Sequence, residues 1–215
     1  MANLRDKAYY AIKNKILRCQ YENNGFLNEN ALMQELEVSR TPIREALTRL
    51  EQEGLVTVLP KKGVLVKPLT ISEINESFEA RMLLEPFIIK KDLKHLDLSA
   101  LHQIKEESTN LISSKPDPEQ FALLDDRFHR CIASGCSNMY FRMMLNHIFD
   151  QNMRIRALSG SDIWERHIEA AREHIKIIDY ILNNNCDRAG DAMAYHLKGS
   201  KEMALNSLSR KPIGY

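Results

Sequence analysis

Apolar positions recur every three or four residues through most of this chain, and the places where that rhythm stops divide it into short helical segments. Ala8, Ile12 and Ile16 fall four apart, the spacing that lines one stripe of a helix. Asn23-Asn24-Gly25 reads as the end of this first helix, and a short second helix carries Ala31, Leu32, Glu35 and Leu36. Ser39-Arg40-Thr41-Pro42 reads as the start of a third, because proline fits a first turn and Ser39 or Thr41 can cap the free amides. Ile43, Leu47 and Leu50 form its inward face, and Gly54 suits its stop. The period then changes. Residues 55–59 and 64–67 are β-rich runs on either side of Pro60-Lys61-Lys62-Gly63, which predicts a hairpin with a basic tip. Three helices followed by a hairpin predict a winged helix-turn-helix over residues 1–68.

Beyond Pro68 the pattern is helical throughout. Thr70-Ile71-Ser72-Glu73 has the form of a capping box and opens a second domain, expected over residues 69–210 as an all-α bundle of six or seven helices. Breaks are expected at 95–99, 113–118, 135–138, 159–161 and 183–185, so the fold class is mainly α. Composition agrees with this, since only 8 glycines and 7 prolines interrupt 215 residues. No apolar run approaches the roughly 18 residues of a membrane span, and the first residues lack the apolar core of a secretory signal. A soluble, cytoplasmic protein without a membrane partner is the expectation. Cys19, Cys131, Cys136 and Cys186 form no Cys-x-x-Cys pair, which favours reduced thiols. The net charge of +1 conceals an asymmetry, a net +3 over residues 1–68 and −2 over the remainder. A basic first part is a weak pointer to nucleic acid.

The third helix sharpens that pointer. Arg40, Thr41, Arg44 and Thr48 lie opposite its apolar face, and arginine can grip guanine in the major groove or a phosphate. Such a face alone is also what an ordinary solvated helix carries; joined to Lys61, Lys62 and Gly63 at the wing it reads as a DNA-contacting surface. The run Leu36-Glu37-Val38-Ser39-Arg40-Thr41-Pro42-Ile43-Arg44-Glu45-Ala46-Leu47, with Arg49-Leu50-Glu51, Glu53-Gly54-Leu55-Val56 and Gly63, closely resembles the DNA-binding domain of GntR-family bacterial transcription regulators. The resemblance implies operator contacts from Arg40, Thr41 and Arg44, backbone support from Arg49, and approach of Gly63 to the minor groove. One segment departs from the family pattern: Phe26-Leu27-Asn28-Glu29-Asn30 stands where the family has a Leu-Pro-x-Gly-like entry to the second helix.

A second constellation lies in the helical part. Asp125 and His129 are four apart among Phe121, Leu124, Phe128 and Ile132, so a carboxylate and an imidazole share one helix face beside the core. His174 and His196 flank the turn near Asn184 at similar depth, roughly 15–18 Å along each arm of a helical hairpin at about 1.5 Å per residue. If the helix bearing Asp125 packs on that hairpin, one aspartate and three histidines converge on a divalent metal, Zn foremost, with Ni, Fe or Mn as alternatives. Singly, each histidine fits an ordinary core or interface position equally well. The segments around Asp125-x-x-Phe128-His129, Glu173-His174 and Asp187 to His196-Leu197 look like the effector-binding domain of the FadR-type branch of GntR regulators. That resemblance implies a metal held by Asp125, His129, His174 and His196, a small carboxylate effector bound to it, and an Arg81-x-x-x-Glu85 motif whose arginine faces the effector.

The leading expectation is therefore a homodimeric transcription regulator, not an enzyme, whose affinity for double-stranded operator DNA responds to a carboxylate. A metal-dependent hydrolase and a DNA-binding protein with a purely structural metal are the alternatives. The hydrolase lacks a His-Glu-x-x-His motif and an obvious general base.

Overall fold

The computed structural model describes residues 4–114, 118–159 and 164–210. The chain forms two compact units, the second beginning at Ile71. In the first, the order is α1 (Leu4–Leu17), β1 (Phe26–Leu27), α2 (Glu29–Leu36), α3 (Arg40–Gln52), β2 (Val56–Leu59) and β3 (Gly63–Val66). Helix α1 packs on α3, and Ala8, Ile12 and Ile16 from one, with Ile43, Leu47 and Leu50 from the other, are all buried. Their helical spacing thus becomes a small core that holds the opposite face of α3 toward solvent.

Three local expectations change. Helix α1 stops at Leu17, well before Asn23-Asn24-Gly25, because Cys19 turns left-handed (φ 52°) and the Cys19 and Gln20 amides bond back to Ile16 and Lys15 carbonyls. Ser39 occupies the N-cap position of α3 but makes no capping hydrogen bond, and Thr41 lies inside the helix; the side-chain cap belongs to α2, where Asn28 Oδ1 accepts from the Asn30 and Ala31 amides at 2.9 and 3.2 Å. The hairpin also gains a third strand, since β1 pairs antiparallel with β3 (Phe26 opposite Leu65, Leu27 opposite Val64) in the order β1-β3-β2. A two-residue strand is too short to show alternation in sequence.

The second unit contains α4 (Ile71–Asp92), a 3-10 turn (Leu93–His95), α5 (Leu98–Ser113), α6 (Pro118–Ser134), α7 (Met139–Ser159), α8 (Trp164–Leu182) and α9 (Cys186–Arg210). Asp97 caps α5 by accepting from the Ala100 amide at 3.0 Å. Gly135 follows α6 where a Cβ would stand 2.5 Å from Leu96 Cδ2 and 3.2 Å from the His95 carbonyl oxygen, so a larger residue would have to displace the Leu96 side chain and crowd this backbone. The turn at 183–185 closes the α8–α9 hairpin, with Asn184 left-handed at φ 55°. The expected breaks at 113–118 and 159–161 fall partly on residues outside those described. Helices α4 and α8 pack along α9, around a core that includes Ile88, Phe128, Phe149, Ile177, Met193 and Leu197. No described helix is long and apolar enough to cross a membrane.

Candidate functional site

On the first unit, Arg40, Thr41, Arg44 and Thr48 form an exposed face of α3, and Lys61, Lys62 and Gly63 an exposed wing tip. The tip depends on its backbone: Lys61 and Gly63 take φ values of 65° and 112°, the second a conformation that favours glycine strongly. Arg40 and Arg44 are already engaged by α2. Arg44 Nε lies 3.2 Å from Glu29 Oε2, and Arg40 Nη2 donates to Asn30 Oδ1 at 2.8 Å. The departure noted at Phe26–Asn30 therefore supplies neighbours for these arginines. Arg49 lies elsewhere, its guanidinium carbon 3.6 Å from the centre of the Tyr9 ring.

In the second unit the four proposed ligands meet. One donor atom from each of Asp125, His129, His174 and His196 lies within 4.8 Å of the others. His174 Nε2 is 3.0 Å from His196 Nε2, which is 3.3 Å from His129 Nε2; Asp125 Oδ1 is 3.7 and 3.6 Å from the Nε2 atoms of His129 and His174. All three imidazoles are buried, and Phe128 stacks on His174 with ring centres 4.2 Å apart. The outer nitrogens decide which way the lone pairs point. His129 Nδ1 meets Glu85 Oε2 at 2.5 Å and His196 Nδ1 meets Glu173 Oε2 at 2.7 Å. With those Nδ1–H groups donating to carboxylates, the Nε2 lone pairs face one another, an arrangement that favours a cation between them. Nitrogen separations of 3.0 and 3.3 Å are also what two bonds of about 2.1 Å span when they meet near a right angle or a tetrahedral angle. The donor set fits a divalent metal.

Electrostatics point the same way. Burial lowers the affinity of His129 for a proton, against the pull of Glu85, and burial together with the neighbouring imidazoles and arginines pushes His174 and His196 well below the ordinary histidine range. Neutral imidazoles are the form that binds metal. Burial would push Glu85 up, but the Arg81 guanidinium and His129 hold its carboxyl down at about 2. Arg81, itself buried, donates from Nε to Glu85 Oε1 at 2.7 Å. A partly open cavity of about 50 Å³ adjoins the cluster, lined by Arg81, Asp125, His129, Asn152, Arg156 and His174 among others. Arg166 lines both this cavity and an open groove outside it.

Several groups here have contacts that the sequence did not reveal. Glu173 bridges His196 to Arg166, whose Nη2 lies 2.9 Å away and also reaches the His196 carbonyl and Ser200 Oγ at 3.4 Å. Arg156 forms a close ion pair with Asp125. Asn152 and Arg156 stand four apart on α7, the spacing of a shared helix face, and that periodicity was the only signal available for them.

A three-stranded wing beside an exposed basic helix, followed by an all-helical unit, defines a winged helix-turn-helix regulator with an appended helical domain. Residues 4–66 match the bacterial regulatory proteins of the gntR family and residues 76–199 match the FCD domain, and the chain belongs to the FCD branch of the GntR transcription regulators. Over 145 residues it is 31% identical to the gluconate operon transcriptional repressor of Bacillus subtilis (strain 168), a match covering 65% of this chain and 58% of that one. The structure of E. coli McbR/YncC has the same fold, with a TM-score of 0.83 at 17% identity over 97% of this chain and 100% of that one. The metal-free FCD domain of TM0439 aligns with a TM-score of 0.58 at 23% identity, over 66% of this chain and 99% of that one. Families and relatives are regulators rather than enzymes, which sets the hydrolase alternative aside.

Proposed function

We propose that this regulator reads operator DNA with Arg40, Thr41 and Arg44 of α3 and with the wing residues Lys61, Lys62 and Gly63, Arg49 supporting that surface. A divalent metal, Zn foremost with Ni, Fe or Mn as alternatives, is held by Asp125, His129, His174 and His196, and a small carboxylate effector binds beside it. The metal would supply a Lewis-acidic anchor for a carboxylate oxygen. Arg81 takes the effector's charge from the other side. The observation that carries this reading is the convergence of four ligand atoms within 4.8 Å at the wall of a cavity that the buried Arg81 and the half-buried Arg156 also line. An effector that prefers one arrangement of the helical domain shifts operator affinity by linkage. The relative named for the gluconate operon suits an acid effector.

The regulator acts as a homodimer in this reading, one recognition helix per half-site. Leu83 and Phe87 on α4, with Met139, Tyr140, Met143 and Met144 on the adjoining α7, expose large apolar side chains, and Phe87 and Phe141 hold the two helices edge to face at 6.1 Å. So much exposed apolar surface on two packed helices suits burial against a second copy.

Metal analysis of wild type and His174→Ala by mass spectrometry tests the centre. The expected result is about one metal per wild-type chain and loss in the variant; equal content in both removes the site. A thermal-shift screen of carboxylates on the metal-loaded protein then tests the effector, and metal without any carboxylate response points to a purely structural ion.

A further inference from the structure

Several buried polar atoms around the cavity make no hydrogen bond among the described residues, Asp125 Oδ2 and Arg166 Nε among them. Arg81 Nη2, Arg156 Nη1 and both side-chain atoms of Asn152 are buried and make no hydrogen bond. Asn152 is 2% exposed and lines the same cavity as the two arginines and the four-residue cluster. Native interiors rarely leave such groups unpaired, and an amide with both ends open is a recognition element awaiting a ligand or ordered water.

The chemistry of the open atoms is specific. Two guanidinium N–H groups match the two oxygens of one carboxylate. That leaves the Asn152 amide, whose Nδ2 has two N–H groups to donate and whose Oδ1 accepts. Its Nδ2 could join a carboxylate, but its Oδ1 cannot, because an ionised carboxylate has no hydrogen to give. A hydroxyl suits either end, accepting from Nδ2 or donating to Oδ1. Turning a guanidinium toward Oδ1 instead would take it away from the anion. We propose that Asn152 is a specificity-determining residue that reads a hydroxyl group, so that the effector is a small hydroxycarboxylate rather than a simple carboxylate.

This inference rests on the carboxylate-effector reading above. It extends that reading from the charged end of the ligand to its backbone. A site built to bond a hydroxyl discriminates against the analogue that lacks it, because the deoxy ligand strands the buried amide.

The test is isothermal titration of the full-length, zinc-loaded protein with matched pairs of acids: glycolate and acetate, lactate and propionate, malate and succinate. The hydroxylated member is expected to bind about tenfold or more tightly in at least one pair and to be the weaker in none. Asn152→Ala and Asn152→Leu are each expected to reduce that preference to within about twofold, with metal content and circular dichroism unchanged. Equal affinities within every pair in the wild type overturn the proposal while leaving the carboxylate reading standing. So does a preference that persists in either folded variant, since the metal or another group then reads the hydroxyl. Should neither variant fold, Asn152→Ser is the smaller change and is held to the same criterion. If no acid of any pair binds, the carboxylate reading itself falls, and this inference with it.

Discussion

Glu173 and Glu85 each hold the far nitrogen of a histidine, at 2.7 and 2.5 Å. Partners of this kind fix the ring and its tautomer, so Glu173→Gln should weaken metal binding by about 10–100-fold while leaving the helices intact, measured by competition with a chelator of known affinity. The same histidines predict a pH dependence. Their proton affinities are depressed in the folded protein, whereas in the unfolded chain they return to near 6.5. Below that pH the unfolded chain takes up more protons than the native one, so the metal-free protein is most stable above about pH 6.5 and loses stability as pH falls further. Melting temperatures of metal-free wild type and His174→Gln at pH 7.5 and 5.5 check this: the variant should show the smaller drop, and equal drops would detach His174 from the effect. At this scale the sequence displayed the ligand types but hid their supports. His129 and Glu85 are 44 positions apart and His196 and Glu173 are 23 apart, and no local spacing connects them.

Elements were more legible than residue pairs, because a helix advertises its buried stripe over several turns. The α8–α9 hairpin shows why depth along an arm carries information: two histidines at similar distances from one turn finish with their Nε2 atoms 3.0 Å apart. What escaped were features shorter than a period, such as β1, or fixed by one dihedral, such as the early stop of α1 at Cys19. Helix α3 and the wing should respond differently to substitution. Arg40→Ala and Arg44→Ala should each cost about 1–3 kcal/mol at the specific operator, with relaxed specificity at one position. Lys61→Ala should weaken all sequences alike and reduce the salt slope by about one. Fluorescence anisotropy on operator and scrambled duplexes across a salt series separates the two outcomes, and unchanged operator affinity in both arginine variants would remove α3 as the reading helix.

For the whole molecule, two compact units imply that a metal bound at the histidine cluster would act on one more than on the other. Chelation should lower the melting of the helical unit and leave that of the winged unit nearly unmoved, visible as one shifting transition in calorimetry. Assembly is a separate matter. Met143→Glu places a charge in the exposed apolar face of α7 and should shift the protein toward monomer in sedimentation, with weaker operator binding; a dimer unaffected by Met143→Glu and Leu83→Glu together would place the interface elsewhere. The outer end of the cavity bears on time rather than on strength. Arg166 faces both the cavity and the groove outside, and it lies over Gly199, where a Cβ would stand 2.9 Å from its Nη2. If an occupant passes between the two spaces, Arg166 is a side chain that both would share, and its swing would need no helix to move. In that case the promptness with which such a regulator answers a change in its surroundings would be set by a rotamer and its grip on the signal by other residues, so the two could be adjusted independently.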